Sequence, residues 1–202
     1  REDLARGVVR AVGEPLRRFG EDALRILRLY RFAARFGFAI DEATEAAAKQ
    51  LASHLDCVSA ERIEEELNKL LAAPQPGAYL EPEVLAFVLP ELPPKELTKA
   101  RRRIDAIPAG TEQVSARWAA LLLPLGETGA RKALKRLKCS NARIDGAAAL
   151  VRECGEKTPD TLDQGELCSQ AKRLLGKSDL HPEQQRTALW TAHAPEEKAS
   201  FD

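Results

Sequence analysis

The chain has 202 residues, of which 44% are hydrophobic, and its 31 basic and 31 acidic side chains leave no formal net charge. That suits one large or two small soluble domains with a real core; no apolar run reaches the roughly 18 residues of a membrane span, and the opening REDLARG lacks the apolar core of a signal peptide. Cys57, Cys139, Cys154 and Cys168 form no Cys-x-x-Cys pair and His54, His181 and His193 no metal-spaced cluster, so the thiols read as reduced cysteines of a cytosolic protein.

Helical periodicity dominates the chain. Val8 to Val12, short and valine-rich, is the single stretch that reads as a strand. Helices are expected over 18–37, 41–54, 60–73, 95–106, 112–124, 128–137, 141–154, 163–175 and 182–193. Asp41 and Ser59 precede helical patterns with acids in the first turn and read as N-caps, and Gly37 stands where a helix should stop. Pro74-Gln75-Pro76-Gly77 and the group Pro90, Pro93 and Pro94 break the helical pattern. Trp118 and Trp190 read as core residues rather than base-stacking platforms, and the polar end, Ala194 to Asp202, reads as frayed.

The zero net charge conceals an uneven distribution. Residues 1–37 hold nine arginines against five acids, and a second basic stretch from Lys95 to Lys138 includes Arg101-Arg102-Arg103, Arg131, Lys132 and Lys135. Such stretches either meet phosphates or form solvated helix faces. Acids gather at Glu61 to Glu66.

The densest information lies in RFGEDALRILRLYRFAARFGF, Arg18 to Phe38. Read as one amphipathic helix, it places Asp22 and Arg25 three residues apart on one face. From spacing alone the plainer reading is an ion pair worth a few tenths of a kcal/mol. The sharper reading is a base-recognition edge. A carboxylate accepts from the exocyclic amino group of cytosine or adenine, and a guanidinium donates to the neighbouring ring nitrogen. Uracil and guanine reverse that order, and each mispaired polar group costs about 1–3 kcal/mol. Leu29 and Phe32 follow Arg25 on the same side and would lower the local dielectric. Arg28 continues the stripe, either orienting Asp22 or meeting a phosphate.

The segments Asp3 to Pro15, Arg18 to Arg25 and Arg31 to Phe38 together resemble the bacterial class II nucleotidyltransferases, which comprise the CCA-adding enzymes and the bacterial poly(A) polymerases. Ile40 to Thr44, Ser59 to Leu67, Phe87 to Leu92 and RLKCSN at Arg136 to Asn141 extend the resemblance. It implies an all-α chain of elongated neck and body domains. Residues 1–16 would be the end of a catalytic head with a short β remnant, 17–92 a neck that selects the nucleobase, and 93–202 a helical body that binds RNA. In that family the Glu-Asp-x-x-Arg motif contacts CTP or ATP, which carries over to Asp22 and Arg25, with Glu21 as the supporting acid. The Ser59 to Leu67 motif braces that helix. Transfer of CMP and AMP to the tRNA 3′ end would be driven by Mg²⁺ on carboxylates of the head, and no such carboxylate motif occurs here. The resemblance therefore implies a chain inactive alone, with the tRNA acceptor end, CTP, ATP and the head as partners and the cytoplasm as its place. A poly(A) polymerase or A-adding relative, and a helical RNA-binding module without nucleotide chemistry, are the alternatives.

Two further motifs read as structural. Gly176-Lys177-Ser178 lacks the glycine that a phosphate-binding loop needs where Ala171 stands. Ser59 has no base beside it in sequence and reads as a cap rather than a nucleophile. No His-Asp dipeptide occurs, so no phosphohydrolase activity is expected.

Overall fold

The computed structural model describes residues 2–155. The helices expected at 163–175 and 182–193, Cys168, His181, His193, Trp190, Gly176 to Ser178 and the C-terminal end lie outside the described residues.

The described chain is all-α apart from one two-stranded sheet. A short helix α1 (Glu2–Arg6) leads into β1 (Val8–Val9), followed by α2 (Pro15–Glu21) and α3 (Leu24–Phe36). β2 (Ala39–Ile40) pairs in parallel with β1, Val8 opposite Ala39 and Val9 opposite Ile40. Next come α4 (Glu42–Gln50), a 3-10 turn at Ala52–Cys57, α5 (Ala60–Leu71), a second 3-10 turn at Pro76–Tyr79 and α6 (Pro82–Val88). The chain continues as α7 (Pro94–Asp105), α8 (Val114–Leu122), α9 (Gly126–Arg136) and α10 (Asn141–Gly155), with 3-10 turns on both sides of α8.

The expected helix at 18–37 is two helices. The chain leaves α2 at Asp22, whose backbone is extended (φ −154°, ψ 102°). Asp22 Oδ1 accepts from Leu24 N at 3.1 Å. A short acid that bonds a backbone N–H two residues on favours a helix start over a helix interior. Leu24 then begins a fresh helix, which ends at Gly37 in the left-handed region (φ 65°) as the glycine predicts. Asp41 also caps as expected, accepting from Thr44 N at 3.1 Å. Ser59 holds the N-cap position of α5 but its side chain makes no capping hydrogen bond.

The strand is shorter than expected and has a partner the sequence reading lacks. Val12 is exposed, and pairing stops at Val9. Ala39-Ile40 is too short for any period to show. α6 was also missed, because Pro82 masks it: proline reads as a breaker, yet here it occupies the first helical turn, where no N–H is needed. The helix expected at 41–54 stops at Gln50 and continues as the 3-10 turn.

One apolar core runs from Phe19 to Val151. Leu67 and Leu71 of α5, Ile104 of α7 and Trp118 of α8 are fully buried, and each such side chain contributes about 1.5–3 kcal/mol. Trp118 is thus a core residue, and its Nε1 donates to Asn68 Oδ1 at 2.8 Å. Across the proline break, Arg136 of α9 binds both carboxylate oxygens of Glu91, at 2.7 and 2.8 Å. No helix among the described residues is long and apolar enough to cross a membrane.

Candidate functional site

The core takes one side of α3 and leaves the arginines on the other. Ile26, Leu27, Tyr30, Ala33 and Ala34 face inward, while Arg28, Phe32, Arg35 and Phe36 are exposed. Arg25 and Asp22 stand at the N-terminal end of this face, both partly exposed.

Asp22 and Arg25 are not an ion pair; each is held by a different partner. Asp22 Oδ2 receives Arg62 Nη2 from α5 at 3.3 Å. Arg25 Nη1 donates to Glu21 Oε2 and to the Arg18 carbonyl, both at 2.9 Å. Glu21 also binds Arg17 and Arg18, at 3.1 and 2.8 Å. Its hydrogen bond to Arg25, then that to Arg17, holds its carboxyl below the usual carboxylate range. Glu21 therefore ties Arg17, Arg18 and Arg25 together at the end of α2. Arg25 Nε and Nη2 make no hydrogen bond among the described residues, and Asp22 keeps acceptor capacity beyond its bonds to Leu24 N and Arg62. The helix break sets this arrangement: Asp22 is held on extended backbone beside the first turn of α3 rather than within the helix.

Arg28 does not reach Asp22. Its Nε donates to Glu66 Oε1 at 3.3 Å, and Arg31 Nε lies 3.0 Å from Glu66 Oε2. Glu66 is buried on α5, with two cations against one carboxylate. Removing one partner of such a cluster leaves an uncompensated buried charge, so Glu66 ties α5 to α3. Arg62 and Glu66 were absent from the candidate residues. The signal was an arginine, and an acid four residues later, inside a run that reads as a solvated acidic face.

The basic candidates of the second half separate into three kinds. Arg103 is buried, 8% exposed, and burial lowers its pKa, so it cannot meet RNA at the surface. Its position on α7, one turn before Ile107 and beside Ile104, turns it inward. Arg101 is half-buried and donates twice to the Leu80 carbonyl, at 2.6 and 3.3 Å. Arg131 is clamped between Glu127 (3.1 Å) and Asp145 (2.7 Å). Arg102, Lys132 and Lys135 are exposed, and the last two line a shallow groove with Glu127, Thr128 and Arg131.

Among the described residues no three or more His, Cys, Asp or Glu side chains are grouped to hold a metal ion.

A family model described as the probable RNA and SrmB-binding site of polymerase A matches residues 37–94. The CCA-adding enzyme of Streptococcus sanguinis (strain SK36) is 35% identical over 192 residues, which cover 86% of this chain and 47% of that relative. The CCA-adding enzyme of Geobacillus stearothermophilus is 37% identical over 158 residues, 75% of this chain and 38% of that relative. Among solved structures, the Bacillus stearothermophilus CCA-adding enzyme in complex with CTP is 28% identical and superposes with a TM-score of 0.69, covering 96% of this chain and 52% of that one. The chain spans about half the length of the curated relatives it matches.

Proposed function

We propose that this chain, which belongs to the class II tRNA nucleotidyltransferase family, selects the base of an incoming CTP or ATP and holds the tRNA acceptor end for addition of CMP and AMP. The observation that carries this reading is the separate bracing of Asp22 and Arg25. Were they paired with each other, a base would have to break that pair to bind. Instead Arg62 and Leu24 N orient the carboxylate, and Glu21 and the Arg18 carbonyl orient the guanidinium. Acceptor and donor would then be free to meet an amino group and a ring nitrogen. The preset orientation lowers the entropy lost on binding.

Residues 17–92 would act as the neck and 93–202 as the body, with exposed Arg102, Lys132 and Lys135 as its phosphate contacts. Cations there add affinity without base specificity. Mg²⁺ would supply the charge neutralisation of phosphoryl transfer from carboxylates outside these 202 residues. The chain by itself would accordingly be inactive, and nucleotidyl transfer by the purified chain would refute that part.

The decisive experiment compares incorporation of CMP, AMP, UMP and GMP by the full-length parent and its Asp22→Ala variant. Loss of the one polar contact that Asp22 makes predicts that discrimination against UTP and GTP falls by roughly tenfold. Unchanged discrimination in a folded variant would remove Asp22 from base reading and favour an RNA-binding module instead.

A further inference from the structure

The exposed face of α3 continues past the base-reading end as a ladder of rings. Phe32 and Phe36, four residues apart, are parallel to within 3° with centroids 6.3 Å apart. Phe38 follows at 5.6 Å from Phe36, tilted by 40°. Phe32 is 39% and Phe36 55% exposed, although large apolar rings are normally withdrawn from water. Guanidinium groups flank them: Arg31 lies 4.1 Å from the Phe32 centroid and Arg35 5.9 Å from that of Phe36. Arg35 is exposed and has no ion pair among the described residues. Arg6 is also exposed, and it precedes Gly7, which stands beside the Phe38 ring.

Charge narrows the choice of occupant. From Ala23 to Ile40 the chain carries four arginines and no carboxylate. Arg31 is paired with Glu66 from α5, which leaves exposed Arg35 as the cation on this face with no ion pair among the described residues. Stacked rings beside such a cation complement a flat, uncharged ring system attached to an anionic backbone. Unpaired nucleotides have that chemistry, since every base offers a π-face and every link a phosphate. A duplex hides its base faces inside the helix. Bases in a stack repeat every ~3.4 Å, so rings on successive helical turns, 6.3 Å apart, match two base steps closely.

We infer that Phe32, Phe36 and Phe38, with Arg35 and Arg6 beside them, form a stacking site for the unpaired 3′ end of the RNA. This deepens the proposed function and rests on it, because the ladder leads along one helix face to the pair that would read the incoming base. Phe32 and Phe36 stack unpaired bases and Arg35 meets the phosphate between them. The strand is thereby laid toward Arg25 without being read for sequence.

The test measures binding of the 202-residue chain to two fluorescent RNAs by anisotropy: a hairpin with a four-nucleotide unpaired 3′ end, and the same hairpin blunt. A 2-aminopurine in the unpaired end reports stacking. The double variant Phe32→Ser/Phe36→Ser removes the ladder, Phe32→Trp/Phe36→Trp preserves it, and circular dichroism monitors the fold of both. Affinity for the tailed hairpin should fall roughly tenfold or more in the serine variant, with loss of 2-aminopurine quenching and no change for the blunt hairpin; the tryptophan variant should retain both. Equal affinity of wild type and serine variant for the tailed hairpin overturns the inference, as would be expected of a face that docks a protein domain. An equal loss on both hairpins overturns it too. Discrimination among nucleotides by the Asp22→Ala parent is a separate readout: it can fail while the ladder stacks RNA, or hold while the ladder does not.

Discussion

Replacing Arg117 by methionine should destabilise the chain more than any surface change, and the structure gives the size of the effect. The Arg117 side chain is fully buried on α8 with no ion pair among the described residues. Its close partners are three carbonyls: Nη1 donates to those of Leu71 and Ala73, at and just past the end of α5, and Nη2 to that of Ile107 at 2.6 Å, with the Pro74 carbonyl a longer contact of Nη2 at 3.5 Å. Last-turn carbonyls have no helical partner and carry the negative end of the helix dipole, so a cation there is favourable. Three hydrogen bonds to a charged group are worth about 1.5–3 kcal/mol each. Against that stands the desolvation of a guanidinium, several kcal/mol; burial lowers the arginine pKa accordingly, and Nε is left without a partner. Methionine fills much of the volume but leaves three carbonyls facing a thioether. The net loss comes to about 3–5 kcal/mol, a third or more of the stability of a typical domain. Urea unfolding followed by circular dichroism should show the midpoint lowered by roughly 1–2 M with unchanged slope. A shift below about 0.3 M would mean that the carbonyls find water or other donors, and that the desolvation cost had cancelled the bonds.

Two further outcomes follow from titrating groups. Burial, with Glu64 adding to it, pushes the Cys139 thiol up to about 12, so at pH 8 its thiolate fraction is on the order of 10⁻⁴. Iodoacetamide with peptide mapping should modify exposed Cys57 and spare Cys139 until the chain is unfolded; labelling of Cys139 at the Cys57 rate would contradict the packing. Glu21 has its carboxyl pKa lowered from the ordinary 4.5, first by Arg25 and then by Arg17. A lowered folded value means the bracing bond is present above 4.5, persists as pH falls through it, and is lost only below. Carbon NMR titration should place the Glu21 midpoint under 4.5 and return it upward in Arg25→Ala; a midpoint at or above 4.5 would show that the brace is absent in solution.

The helices were legible wherever one apolar stripe ran long enough to show a period, as in α5, where Ile63, Leu67, Leu70 and Leu71 all face the core. The sequence misled where a local interaction overrode the period. Residues 18–37 carry an unbroken helical pattern, yet Asp22 bonds Leu24 N and ends one helix before the next begins. Asp22 and Arg25 do not share a face of one helix as that pattern suggests; only their backbones meet, Arg25 N donating to the Asp22 carbonyl at 3.1 Å. Their partners were not legible. Arg62 is forty positions from Asp22 and Glu66 thirty-eight from Arg28, and no local pattern encodes a pairing between helices. For the same reason a run of three arginines could not reveal that Arg102 points to water while Arg103 is buried.

α5 is where these long-range pairings meet. Arg62 near its start holds Asp22, and Glu66 at its middle holds Arg28 and Arg31. On the side of the second half, Glu61 pairs with Lys138 at 2.6 Å, Asn68 binds Trp118, and the carbonyls at the far end bind Arg117. Twelve residues of helix span ~18 Å, so one element contacts the candidate base edge, α8 and the turn that follows α9. That is an argument about position, not about switching, since nothing here shows two alternative arrangements. Rigidity is what a base-reading edge requires. On the proposed reading, an acceptor and a donor would distinguish cytosine and adenine from uracil and guanine only if neither turned away from a mismatch, and the bonds from Arg62 of α5 and from Glu21 would restrain that turning.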